Sequence, residues 1–201
     1  KLPVMLLFYQ EVEKGNLDPQ GEYLLKEKDK VLGAGILPGK AAGTTYTYHY
    51  LVELMGQYSD NTAFKIMRQV LGDEQIQEMI DKLGMEKTSL QEFTTTPEDI
   101  GLFFQKLYQG EIINDEDRDE LLQFLTKTAY EDWLPKGIPQ GVKIAHKIGK
   151  DLGTFSDGGI IFADNPYIIV LMSKDARELE ANEALPKISQ IIWDYENTSS
   201  L

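Results

Sequence analysis

The 201-residue sequence predicts an α/β chain of the α+β type, with a helical lobe packed on an antiparallel sheet flanked by helices. Three observations predict it. Capped helical patterns follow one another from the first residue to about residue 128. Short β-branched runs then alternate with turn signals up to about residue 172, and a last amphipathic pattern closes the chain. The length fits one domain, with a helical lobe at about 1–140 and a sheet-and-helix lobe at about 141–201.

Taken in order, "LPVMLLFYQEVEKG" (Leu2 to Gly15) reads as a buried helix ended by a glycine. Between Gly21 and Gly43 the glycines and Pro38 break any long element. Leu51 to Tyr58 is helical; Ser59-Asp60-Asn61 interrupts it, and a second helix runs from about Thr62 to Leu71. Asp73 is expected to cap a third, which stops at Gly84. Thr96-Pro97-Glu98-Asp99 is a strong helix start, with Thr96 as cap and Pro97 at the first helical position. That helix ends at Gly110, and Asn114 begins the next.

The period then changes. Val142 to Ile148, Gly159 to Ala163 and Tyr167 to Met172 read as consecutive antiparallel strands, separated by the turn signals "SDGG" and "ADNP". Glu183 to Tyr195 reads as a helix whose Leu185, Ile188, Ile191, Ile192 and Trp193 cover the sheet.

A net charge of −13 argues against a nucleic-acid backbone as partner, which needs clustered Lys and Arg. The absence of cysteine excludes disulfides, thiolate catalysis and cysteine-held metals. His49 and His146 are too few for a convincing zinc site, so both are expected to be structural and no metal or cofactor is expected. No apolar run approaches the ~18 residues that span a bilayer. Lys1 lies inside a helical pattern, so further residues are expected before it.

Three features carry chemistry: Lys1 at the start of a buried helix, Ser59-Asp60-Asn61 between two helices, and Lys147-Ile148-Gly149 on the first strand of the sheet. In this order, 58 and 88 residues apart, they resemble the S-x-x-K, S-D-N and K-T-G set of the class A β-lactamase-like, penicillin-recognising serine hydrolases. "TTPEDIGLFFQKLYQG" is also similar to that family's helix after its Ω-loop, so the resemblance spans essentially the whole chain. It implies a β-lactamase/transpeptidase-like fold whose N-terminal strands precede Lys1, together with a nucleophilic serine three positions before it. It further implies Lys1 as base, Ser59 as proton relay, and Asn61 holding Lys1 and a substrate amide. Lys147 would supply a second cation that attracts the substrate carboxylate. Ile148, Gly149 and Lys150 would line the substrate strand, with the Lys150 N–H in the oxyanion hole. Implied partners are a β-lactam or a peptidoglycan stem peptide. The implied location is exported, at the cell surface or outside the cell, with membrane contact only through an N-terminal anchor.

Two departures qualify the expectation. Ile148 stands where the family has Thr or Ser. Between Gly84 and Thr96 there is no E-x-x-L-N motif, only Glu86 and Glu92, so hydrolysis of an acyl-enzyme is expected to be weak. The alternative is a catalytically silent cell-wall binding or scaffold domain of the same fold.

Overall fold

The computed structural model describes residues 1–198; positions 199–201 of the expected C-terminal lobe lie outside the described residues. The elements are α1 (Leu2–Glu13), β1 (Glu22–Leu24), β2 (Thr45–Thr47), α2 (Tyr48–Gln57), α3 (Asn61–Leu71), α4 (Asp73–Lys82), α5 (Pro97–Gln109), α6 (Asp115–Thr126), β3 (Lys143–Asp151), β4 (Thr154–Phe162), β5 (Tyr167–Ser173) and α7 (Glu178–Thr198).

Helix α1 is buried without a break from Leu2 to Tyr9, as a helix apolar on all sides must be. It touches α2, α3, α4 and α6. The main core gathers Met5, Leu6 and Phe8 of α1 with residues of α2 to α6, and it also includes Ala145 of β3 and Ile160 of β4. One core therefore spans both lobes and fixes α1 relative to the sheet.

The sheet has the order β3-β4-β5, all antiparallel. Pairing of β3 with β4 runs unbroken from Lys143↔Phe162 to Asp151↔Thr154, around a turn at Leu152-Gly153 where Gly153 has φ 68°. Ser156-Asp157-Gly158-Gly159, expected as a turn, lies inside β4 instead. Its glycines serve packing: a Cβ on Gly159 would lie 2.6 Å from the Cα of His146 and against the Ala145 carbonyl, and one on Gly158 would press on Val170 and Ile100. Within the turn-rich stretch from Gly21 to Gly43 lies the short strand β1, which pairs antiparallel with β2 just beyond it.

Thr96 caps α5 by accepting from the Asp99 N–H, and Asn114 caps α6 by accepting from the Asp117 N–H. Asp73 does not cap α4. Gly72 holds the cap position, and the Asp73 carboxylate pairs with Arg68 across the turn. In α7, Leu185, Ile192 and Trp193 pack on the sheet side, but Ile188 and Ile191 are 40% and 67% exposed. The buried stripe runs Ala181–Leu185–Ser189, spaced four residues apart and continued by the partly buried Ile192, and Ser189 donates to the Leu134 carbonyl at 2.8 Å. Among the described residues no helix is long and apolar enough to cross a membrane.

Candidate active site

The α2–α3 break is built around Asp60. Its Oδ1 accepts the Thr62 and Ala63 N–H groups, both at 2.9 Å, and so caps α3. Its Oδ2 accepts the Ile36 and Leu37 N–H groups at 2.7 and 2.8 Å, pinning a loop 24 residues upstream onto the break. With both oxygens committed, the chain reverses at Ser59, which takes a left-handed φ of 50°. Such a backbone is unfavourable for a residue with a Cβ.

Two lysines meet that hydroxyl. Lys1, the N-cap residue of α1, donates from Nζ to Ser59 Oγ at 3.0 Å, to Asn61 Oδ1 at 2.7 Å and to the Ser59 carbonyl. Lys147, on the face of β3 that also buries Ala145, donates to Ser59 Oγ at 2.7 Å and to the Ile148 carbonyl at 2.9 Å. Burial holds the Lys1 ammonium down to a pKa of about 8, against the opposing pull of Asp60. Burial and the charge of Lys1 hold Lys147 down to about 7, with Asp157 pulling the other way. Sharing one oxygen, the two ammonium groups titrate as a coupled pair.

Lys1, Ser59, Asn61, Lys147, Ile148, Gly149 and Lys150 all line one cleft of about 1280 Å³. A Cβ on Gly149 would lie 2.5 Å from Ser156 Oγ, which would have to turn away from the Gly149 carbonyl it donates to at 3.3 Å. The Ile148 side chain packs with Trp133 and Phe155. The Lys150 ammonium is tied to Glu178 at 2.6 Å, joining the end of β3 to the start of α7.

Glu86 and Glu92 are exposed and neither lines the cleft. A bridge between Ser89 and Thr94 closes the intervening segment into a tight turn. The carboxylates that do line the cleft are Asp132, Asp151 and Glu178, of which Asp132 and Glu178 are paired with Lys136 and Lys150.

Sequence reasoning passed over several neighbours. Asp157, hidden in the misread turn, is fully buried; it accepts from the Leu134 N–H and pairs with His146 Nδ1 at 2.8 Å beneath Lys147. Its signal was an acidic residue three places before a pair of isoleucines. Phe64 and Phe93 also reach the cleft, and no spacing rule would have singled them out. His49 lies apart from the cleft and bonds Glu120, which also accepts from Tyr9.

The fold has counterparts in known proteins. The structure of PBP-A superposes with a TM-score of 0.91 at 25% identity, over 98% of this chain and 79% of that one. A single-site variant of PBP-A, solved as an acyl-enzyme complex with penicillin G, matches to the same extent. A β-lactamase from Sphaerobacter thermophilus superposes at 0.90 with 23% identity, over 98% and 81% of the two chains. These likenesses extend over nearly the whole of this chain, and a family model spans residues 1–196. On that match the chain belongs to the β-lactamase enzyme family.

Proposed function

We propose that this chain carries the acyl-transfer centre of a serine hydrolase that opens β-lactams or D-Ala-D-Ala-type peptides and releases the acyl group slowly. The observation that carries the reading is the convergence of the Lys1 and Lys147 ammonium groups on Ser59 Oγ. On this reading the nucleophile is the serine hydroxyl that the family resemblance implies three positions before Lys1, one helical turn away. Its oxygen attacks the substrate carbonyl while its proton passes to neutral Lys1 Nζ. The lowered pKa of Lys1 supports this role, because an ordinary lysine is almost fully charged at neutral pH. Collapse of the tetrahedral intermediate breaks the C–N bond. The leaving nitrogen takes the Ser59 Oγ proton, which the adjoining ammonium groups replace. The Lys150 N–H stabilises the oxyanion, Lys147 attracts the substrate carboxylate beside Ile148 and Gly149, and Asn61 orients Lys1 and the substrate amide.

Slow release follows from the absence of Glu86 and Glu92 from the cleft lining, which leaves water without a general base from the Gly84–Thr96 segment. The same reading puts the protein outside the cytoplasm, at the cell surface or in the surrounding medium. It also makes the helical and sheet lobes parts of one domain whose remaining strands precede Lys1.

Ile148 supports a second reading, a silent cell-wall binding domain, because it removes a hydroxyl from the substrate strand. Labelling with a fluorescent penicillin separates the two. The enzymatic reading predicts a covalent band that Lys1→Ala, Ser59→Ala and Lys147→Ala each weaken by about 100-fold or more in rate. If all three variants label like the parent protein, the assigned roles are wrong; if none, parent included, labels, the silent domain is left.

A further inference from the structure

Lys1 and Lys147 both bond neutral acceptors: the Ser59 hydroxyl and carbonyl and the Asn61 amide for one, the Ser59 hydroxyl and the Ile148 carbonyl for the other. The carboxylates that offset their charges act from further off, Asp60 on Lys1 and Asp157 on Lys147. Both carboxylates are fully buried and already occupied. Asp60 holds its four backbone N–H groups. Asp157 accepts the Leu134 N–H on Oδ2 at 3.0 Å and meets His146 Nδ1 on Oδ1 at 2.8 Å; since an ionised carboxylate only accepts, the Nδ1 proton is donated to it.

The strand register explains how Asp157 reaches Lys147. Asp157 stands opposite Ile148, His146 opposite Gly159, and Lys147 opposite Gly158. Side chains alternate along a strand, so Asp157 and His146 share one face of the sheet and Lys147 lies on the other. Asp157 is thereby tied to both chain neighbours of Lys147, by pairing to Ile148 and by its side chain to His146. The charges acting on the Lys147 ammonium are Lys1 from α1 and Asp157 from β4, with opposite effect, while the α2–α3 break presents the uncharged Ser59 hydroxyl. Hydrogen bonding alone does not call for a carboxylate at position 157. An asparagine would satisfy the same partners, its oxygen accepting from Leu134 and its amide donating to the other tautomer of His146. What the acid adds, at the expense of burying it, is a negative charge whose field weakens less through the sheet than through water.

We propose that Asp157, held by His146 and the Leu134 N–H, is a positioning residue of the acyl-transfer reaction: from the far face of the sheet its charge keeps Lys147 an ammonium, and it leaves that ammonium free to meet the substrate carboxylate. A carboxylate in direct contact with Lys147 would compete with the substrate for it. The assignment rests on the acyl-transfer reading above and adds to it a residue that lines no part of the cleft.

The pH profile of fluorescent-penicillin labelling of the full chain, in the parent and in Asp157→Asn, tests it. Acylation requires Lys1 neutral and Lys147 charged. Near about pH 5 Lys147 is charged in either protein and the rate follows Lys1, so the two should label alike. Above about pH 8.5 Lys1 is largely neutral and the rate follows the charged fraction of Lys147, so the variant should fall about three- to tenfold behind. A deficit equal at every pH makes Asp157 merely structural and overturns the proposal; so does a profile identical to the parent's. A parent that labels at no pH ends the acyl-transfer reading and this assignment with it, whereas a labelling parent with either of those two profiles ends this assignment alone. Should Asp157→Asn not fold, the titration of Lys147 in the ¹³C-lysine-labelled parent decides: an ammonium still present at about pH 6 supports the proposal, and one already lost there overturns it.

Discussion

Asp60 shows how much one side chain can organise. Its two oxygens accept four backbone N–H groups while its surface is fully buried. Asp60→Ala strands those donors and should cost at least about 3 kcal/mol in urea unfolding, well beyond the loss of a simple helix cap. Lys147 makes the opposite contribution. Its pKa is about 7 in the fold against 10.5 for an ordinary lysine, so between those values the unfolded chain binds more protons and stability rises with pH. Below about pH 7 its penalty is constant and largest. Lys147→Met should therefore raise the melting temperature at neutral pH, flatten its rise toward pH 10, and abolish acylation. Ile148→Thr trades the other way: it gives up packing against Trp133 and Phe155, at about 1 kcal/mol, and should speed acylation by penicillin. Acylation that is unchanged removes Ile148 from the account of substrate choice.

At the scale of elements, the helices were legible because their ends are written in local chemistry. Thr96 and Asn114 cap where side-chain capping rules place them, and α1 announces itself by an apolar run with no polar face. Asp73 misled because an acidic residue after glycine fits a cap equally well; its partner, Arg68, lies in the preceding helix. The larger error was "SDGG". Locally it is turn chemistry, but Asp157 is held by His146 and Leu134 and the two glycines by the close approach of β3, β5 and α5, none of which adjacent sequence reveals. Tertiary packing decided the element. Gly159→Ala tests this directly: its methyl group meets the Ala145 carbonyl and His146 Cα, so the variant should lose about 3 kcal/mol or more and its β3–β4 amides should exchange faster. A strand tolerant of alanine there would show that the β3–β4 pairing is looser than described.

At the scale of the whole molecule, the three motif fragments were legible as a set because their order and separations are long-range facts that a linear sequence preserves. Their meeting was not legible from either lobe alone. It depends on a core that runs from α1 through Ala145 and Ile160, holding the first residue of the chain against the break at 59 and the strand at 147. Phe93 escaped sequence reading because it meets the cleft through contacts across a turn with no motif of its own. In a chain of net charge −13, the cleft brings two cations onto one oxygen, Ser59 Oγ. Since Lys1 must be neutral to act as base while Lys147 must be charged to attract the substrate carboxylate, acylation should pass through a maximum near pH 7 to 8 and fall on both sides.

The most direct measurement is the lifetime of the penicilloyl adduct, followed by intact-protein mass spectrometry on the chain with serine three positions before Lys1. The account predicts one equivalent of covalent adduct that persists over many minutes, forms fastest near pH 7 to 8, and forms at least about 100-fold more slowly in Lys1→Ala. Failure to form any adduct, or turnover too rapid for one to accumulate, would contradict it.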